Sequence, residues 1–108
     1  NMYTIQANQS GTRSIEVSDD HLRTIRKYSL FSQLVDSIGK VDEDTLEKLK
    51  MNIRSLIASE EDVESKELLN LCIDVIYHDN MKALGLQNLV KLYEEWTVKN
   101  PEEEKQAS

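Results

Sequence analysis

From Leu68 to His78 the chain reads LLNLCIDVIYH, and only Asn70, Asp74 and His78 interrupt its apolar residues. These three fall four apart, so on a helix turning roughly 100° per residue they form one narrow polar stripe. Leu68, Leu71, Cys72, Val75 and Ile76 share another face, and Leu69, Ile73 and Tyr77 widen it. A helix that is apolar around most of its circumference must be surrounded. This stretch is therefore expected at the centre of the fold, and the rest of the chain must supply the elements that cover it.

The flanking segments have the right pattern. Ser18 is a suitable helix N-cap, Asp19 and Asp20 suit the positive end of the helix dipole, and Val17 with Leu22 has the spacing of a hydrophobic staple. Leu22 and Ile25 begin an apolar stripe that Leu30, Phe31, Leu34, Val35 and Ile38 continue, up to a stop at Gly39. Tyr28-Ser29 either breaks this stretch, with Ser29 capping a second helix, or lies within one helix. Asp42 caps the next helix, Val41 and Leu46 staple it, and Leu46, Leu49, Ile53, Leu56 and Ile57 form its buried stripe. After the acidic SEEDVESKE, Ser65 is a candidate cap for the central helix. Gly85 marks a turn, and Leu86, Leu89, Val90, Tyr93 and Trp96 form a last stripe before Pro101. The spacing predicts helices over 18–38, 42–58, 65–79 and 86–99.

The start of the chain differs. YTIQA and RSIEV each alternate apolar with polar residues around a turn-like NQSG, so Tyr3 and Ile5 can face Ile15 and Val17 across a β-hairpin. A lone hairpin is marginal in water and would have to pack on the helices; otherwise 1–17 is a disordered arm. Asn1, ahead of Met2, is not expected to contribute to the fold. The expected fold class is all-α: a small bundle of four to five helices over 18–100, an N-terminal arm or short hairpin at 1–17, and a disordered acidic tail at 101–108.

Composition then bounds function. At 108 residues, 39% of them hydrophobic, the chain makes one domain with a modest core, and a mean hydropathy of −0.55 with 31% charged residues favours solubility. No apolar run approaches the roughly 18–20 residues of a membrane span, and the first residues lack a signal-peptide pattern. A single cysteine makes no intrachain disulfide, so the default address is cytoplasmic. The net charge of −7 is uneven. Residues 1–41 carry five basic and four acidic groups, a balance of +1, whereas residues 42–108 carry eight basic and sixteen acidic, a balance of −8. Such a field repels phosphate and favours cationic partners.

The chemistry-bearing residues do not fall into catalytic or metal-binding patterns. Cys72 and His78 lie on different sides of their helix and cannot converge on one atom, so Cys72 reads as a small buried hydrophobe. Asp74 and His78, four apart, suit a surface pair. His21, Cys72 and His78 lack zinc-ligand spacing, DEDTLE and EEDVESKE lack the order of a calcium loop, and three glycines build no phosphate cradle. Catalytic, cofactor and metal sites are all expected to be absent. Arg23, Arg26 and Lys27 form the basic cluster, small for a nucleic-acid binder on an otherwise repulsive chain.

In helix order and spacing, LFSQLVDSIGKVDEDTLEKLKMNI, ELLNLCIDVIYHDN and GLQNLVKLYEEW resemble a death-effector-type bundle, which implies homotypic adaptor binding. TVKN stands where that family carries an Arg-x-Asp-Leu pattern, so no binding residues carry over. In size, charge and four-helix pattern the chain is also similar to small bacterial immunity proteins, which implies sequestration of a basic, nuclease-like toxin.

The leading expectation is a non-enzymatic protein-binding module of immunity, antitoxin or inhibitor type that meets a basic protein. Asp42, Glu43, Asp44, Glu60, Glu61 and Asp62 are its densest carboxylates, and Tyr93 and Trp96 its aromatic anchors. The alternative is a structural or regulatory homo-oligomeric subunit, and behind it a nucleic-acid-binding regulator.

Overall fold

A computed structural model describes residues 1–38, 43–78 and 84–101, apart from the side chains of 76–78. It contains an antiparallel hairpin, β1 (Met2–Gln6) and β2 (Ser14–Ser18), followed by α1 (Asp19–Lys27), α2 (Leu30–Ser37), α3 (Glu43–Ser59), α4 (Val63–His78) and α5 (Leu84–Lys99). The expected Gly39 stop, the Val41 half of a staple, the Asp42 cap and the tail beyond Pro101 lie outside the described residues.

The hairpin has the register that its alternation implies. Tyr3 pairs with Val17 and Ile5 with Ile15, placing these residues on the core side of the sheet. Ile5, Ala7, Ile15 and Val17 are buried, so the strands belong to the core and are no loose arm. β1 lies against α5, where Asn88 Nδ2 donates to the Gln6 carbonyl at 2.8 Å, while β2 leads directly into α1. Asn1 joins this structure: its carbonyl accepts the Asp19 backbone N–H at 3.3 Å.

α4 occupies the expected central position, packed against α1, α3 and α5. Leu68, Leu69, Cys72 and Val75 are buried, and the core closes around them with Leu22, Ile25, Leu30, Leu34, Ile53, Leu86 and Leu89. α3 lies at the edge of the bundle and buries little besides Leu49 and Ile53.

The structure settles the open Tyr28-Ser29 alternative and corrects two local expectations. The first helical stretch is two helices, because Ser29 adopts the left-handed conformation (φ 54°). Its side chain makes no capping bond, so the break comes from the backbone turn itself. α4 starts at Val63, two residues early, because Asp62 caps it: Asp62 Oδ2 accepts the Ser65 N–H and the Ser65 hydroxyl, both at 2.9 Å. Ser65 is buried inside the first turn. Gly85 marks no turn; it is buried in the first turn of α5, where packing of Leu86 and Leu89 overrides its low helix propensity.

Candidate functional site

Among the described residues, a polar cluster lies where the start of α1 meets the start of α4. Ser18 caps α1 by accepting the His21 N–H on its hydroxyl at 3.1 Å, and His21 Nδ1 accepts the Ser18 N–H in return at 2.9 Å. The spacing is that of an S-x-x-E capping box with histidine in the glutamate position. The His21 side chain is only 3% exposed. Its Nε2 points at two α4 carboxylates, Glu64 Oε1 at 3.4 Å and Glu67 Oε1 at 3.6 Å, and the Ser18 hydroxyl donates to the same Glu64 oxygen at 2.7 Å.

His21, Glu64 and Glu67 thus bring three potential ligand atoms within 4.8 Å of one another. The bond to Ser18 decides their chemistry. Nδ1 accepts a hydrogen bond, so its lone pair is in use and the ring proton sits on Nε2. A metal-bound histidine needs the lone pair of the nitrogen that faces the ion, with the proton on the other nitrogen. The three residues therefore do not fit a metal. Nε2–H is buried and faces the two carboxylates without a hydrogen bond to either; the polar tie between α1 and α4 is the Ser18–Glu64 bond.

The tie continues along the helix pair. Thr24 and Ser65 hydroxyls meet at 3.3 Å in a buried position, and Lys27 Nζ approaches Glu60 Oε2 at 3.7 Å. Glu60 was expected among the exposed carboxylates, but its side chain is only 9% exposed. Its Oε1 accepts the N–H groups of Glu61 (3.1 Å) and Asp62 (2.9 Å), so Glu60 shapes the turn between α3 and α4. Asp62 remains exposed while capping α4; the Ser65 N–H and hydroxyl bonds hold its carboxyl below the ordinary value of 3.8. Glu61 and Glu67 are exposed.

The other predicted residues scatter. Glu43 and Asp44 are exposed in the first turn of α3, about 24 Å of helix away from the Glu60 corner, so the expected carboxylates form no single patch. Trp96 is 3% exposed, and its Nε1–H donates to Asp19 Oδ1 at 3.1 Å, so it presents no free face to a partner. The same Asp19 oxygen accepts the Tyr3 hydroxyl at 2.9 Å, and Oδ2 accepts the Asn1 amine at 3.0 Å. Tyr93 is half-buried between Phe31, at 5.1 Å between centroids, and Trp96, at 6.0 Å.

The basic cluster is engaged within the chain: Arg23 pairs with Asp20, and Arg26 lies 4.6 Å over the Trp96 ring and donates to the Asn100 carbonyl at 2.7 Å. Asp74 forms an ion pair with Arg13 from the far end of the hairpin; the expected pairing of Asp74 with His78 lies outside the described residues. Cys72 is fully buried, which pushes its thiol up to about 12 and leaves it no nucleophilic character at neutral pH.

A family model described as "Domain of unknown function (DUF8442)" matches residues 3–107. The chain belongs to this family. No curated protein and no solved structure matches it. The match to DUF8442 spans hairpin and helices together, in keeping with the shared core of β1, β2 and α5. Among the described residues of this DUF8442 chain, no helix is long and apolar enough to cross a membrane.

Proposed function

We propose that this protein is a non-enzymatic binding module whose acidic α3–α4 corner meets a basic protein partner, in the manner of an inhibitor, antitoxin or immunity protein. The observation that carries this reading is the fixation of carboxylates at that corner. Glu60 braces the turn, Asp62 is locked as a cap, and Glu64 accepts the Ser18 hydroxyl. Exposed Glu61 and Glu67 stand beside them. Fixed charges lose little side-chain freedom when a cation docks, so they favour fast, oriented association over burial of a large apolar area. An accessible reactive nucleophile is not part of the corner, whose hydroxyls on Thr24 and Ser65 are buried against each other.

The test uses Glu61→Lys with Glu67→Lys, because neither residue caps a helix. A basic partner captured by the parent chain at low salt should be released at high salt and should bind the double variant at least tenfold more weakly. A partner held equally by parent and variant, or indifferent to salt, would reject the proposed corner.

A further inference from the structure

The two edges of the hairpin are unequal. Ala7 N–H donates to the Arg13 carbonyl at 2.9 Å, and Asp19 N–H to the Asn1 carbonyl at 3.3 Å. With Ile5 opposite Ile15 and Tyr3 opposite Val17, the odd residues of β1 exchange hydrogen bonds with β2. The backbone N–H and C=O groups of Met2, Thr4 and Gln6 therefore point away from β2, along the outer edge of β1. The direction of the Gln6 carbonyl agrees, since Asn88 reaches it from outside the hairpin.

The outer edge of β2 is already obstructed. Ser18 N–H on that edge is taken by His21 Nδ1, and Glu16 puts a charge at its centre. β1, Met-Tyr-Thr-Ile-Gln, carries no proline, lysine or other charged residue of its own, and Asn88 of α5 occupies only the Gln6 carbonyl at one end of its edge. Among the described residues, no strand pairs with its free side. An open groove runs along that side, walled by exposed Lys91 and Glu95 of α5.

We propose that this edge pairs with the same edge of a second copy of the chain, antiparallel and centred on Thr4. That register sets Thr4 opposite Thr4, where both backbone bonds are exchanged, and Met2 opposite Gln6, whose carbonyl takes the Met2 N–H on the lone pair that Asn88 leaves open. The two hairpins then form one continuous four-stranded sheet. α5 runs antiparallel to β1, with Asn88 beside Gln6 and Trp96 near Tyr3 through their shared Asp19. A two-fold axis through Thr4 therefore brings Lys91 of each copy toward Glu95 of the other. The surface is self-complementary in charge as well as in hydrogen bonding, which a two-fold interface requires. This surface is distinct from the acidic α3–α4 corner, so the two proposals stand or fall separately.

The test is the mass of the purified chain as a function of concentration, by sedimentation or light scattering. A concentration-dependent dimer is expected. Thr4→Pro removes only an outward N–H and leaves the β1–β2 ladder intact, so it should yield a folded monomer. Lys91→Glu alone should weaken the dimer about tenfold, and Lys91→Glu with Glu95→Lys should restore it. The charge pair gives a reading even if the proline variant fails to fold. A monomer at all concentrations, a dimer unmoved by Thr4→Pro, or a charge exchange that fails to restore it would overturn the proposal. A monomeric chain that instead binds an extended peptide along β1 would do the same.

Discussion

His21 and Ser18 exchange hydrogen bonds in both directions, the hydroxyl of one accepting the N–H of the other while the imidazole accepts in return. This reciprocal pair starts α1, fixes the imidazole proton on Nε2 and directs it toward Glu64 and Glu67 of α4. One side chain thus joins a helix cap to the contact between two helices.

Replacing His21 by Ala should lower stability by about 1–2 kcal/mol, through loss of half the capping box and of the packing of a buried ring. His21→Gln retains the box and should recover part of the loss. Urea denaturation followed by circular dichroism compares the two; equal stability of the parent and the Ala variant would contradict the role assigned to His21.

Asp19 accepts both the Trp96 N–H and the Tyr3 hydroxyl, so Asp19→Ala leaves the indole donor buried and unpaired. The expected cost is about 1–3 kcal/mol, with a shifted Trp96 emission maximum in the folded state. An unchanged emission spectrum would mean that the indole does not depend on Asp19.

Cys72 should react with a thiol reagent only when the protein opens. At neutral pH the native rate is expected to be at least about 100-fold below that in denaturant, and to rise with mild urea. Fast labelling of the native state would show that α4 is less enclosed than its burial indicates.

Asp62 and Asp19 are both held below their ordinary carboxylate values, Asp62 by the Ser65 backbone and hydroxyl bonds, Asp19 first by the Asn1 amine and then by Tyr3 and Trp96. A depressed folded value stabilises the protein above the ordinary value of 3.8 and loses that contribution as pH falls through the folded one. Thermal melting below about pH 4 should therefore show a falling midpoint. The fall should be shallower in Asp62→Asn, measured over the same range.

The hairpin and the central helix were legible in the sequence because periodicity carries them. Alternation placed Tyr3, Ile5, Ile15 and Val17 on one face, and the narrow polar stripe of α4 required neighbours around it. Features decided by distant partners were not legible. Arg13 pairs with Asp74, 61 residues later, and nothing local to either residue marks that ion pair. Trp96 ends an amphipathic stripe and resembled a surface anchor, but burial of its ring depends on an acceptor in Asp19. Ser29 matched a capping residue by type and broke the helix by backbone conformation instead. The His21 box did leave a signal, Ser-x-x-His at capping-box spacing, hidden only because histidine stands where glutamate is usual.

The contact between β1 and α5 also bears on how the chain is made. Gln6 is bridged by Asn88, 82 residues later. At the ribosome's usual ~5–20 residues per second, the first strand waits ~4–16 s for its covering helix. A two-stranded hairpin is barely stable alone, so its apolar face and open edge are available during that interval to chaperones or to a neighbouring nascent chain.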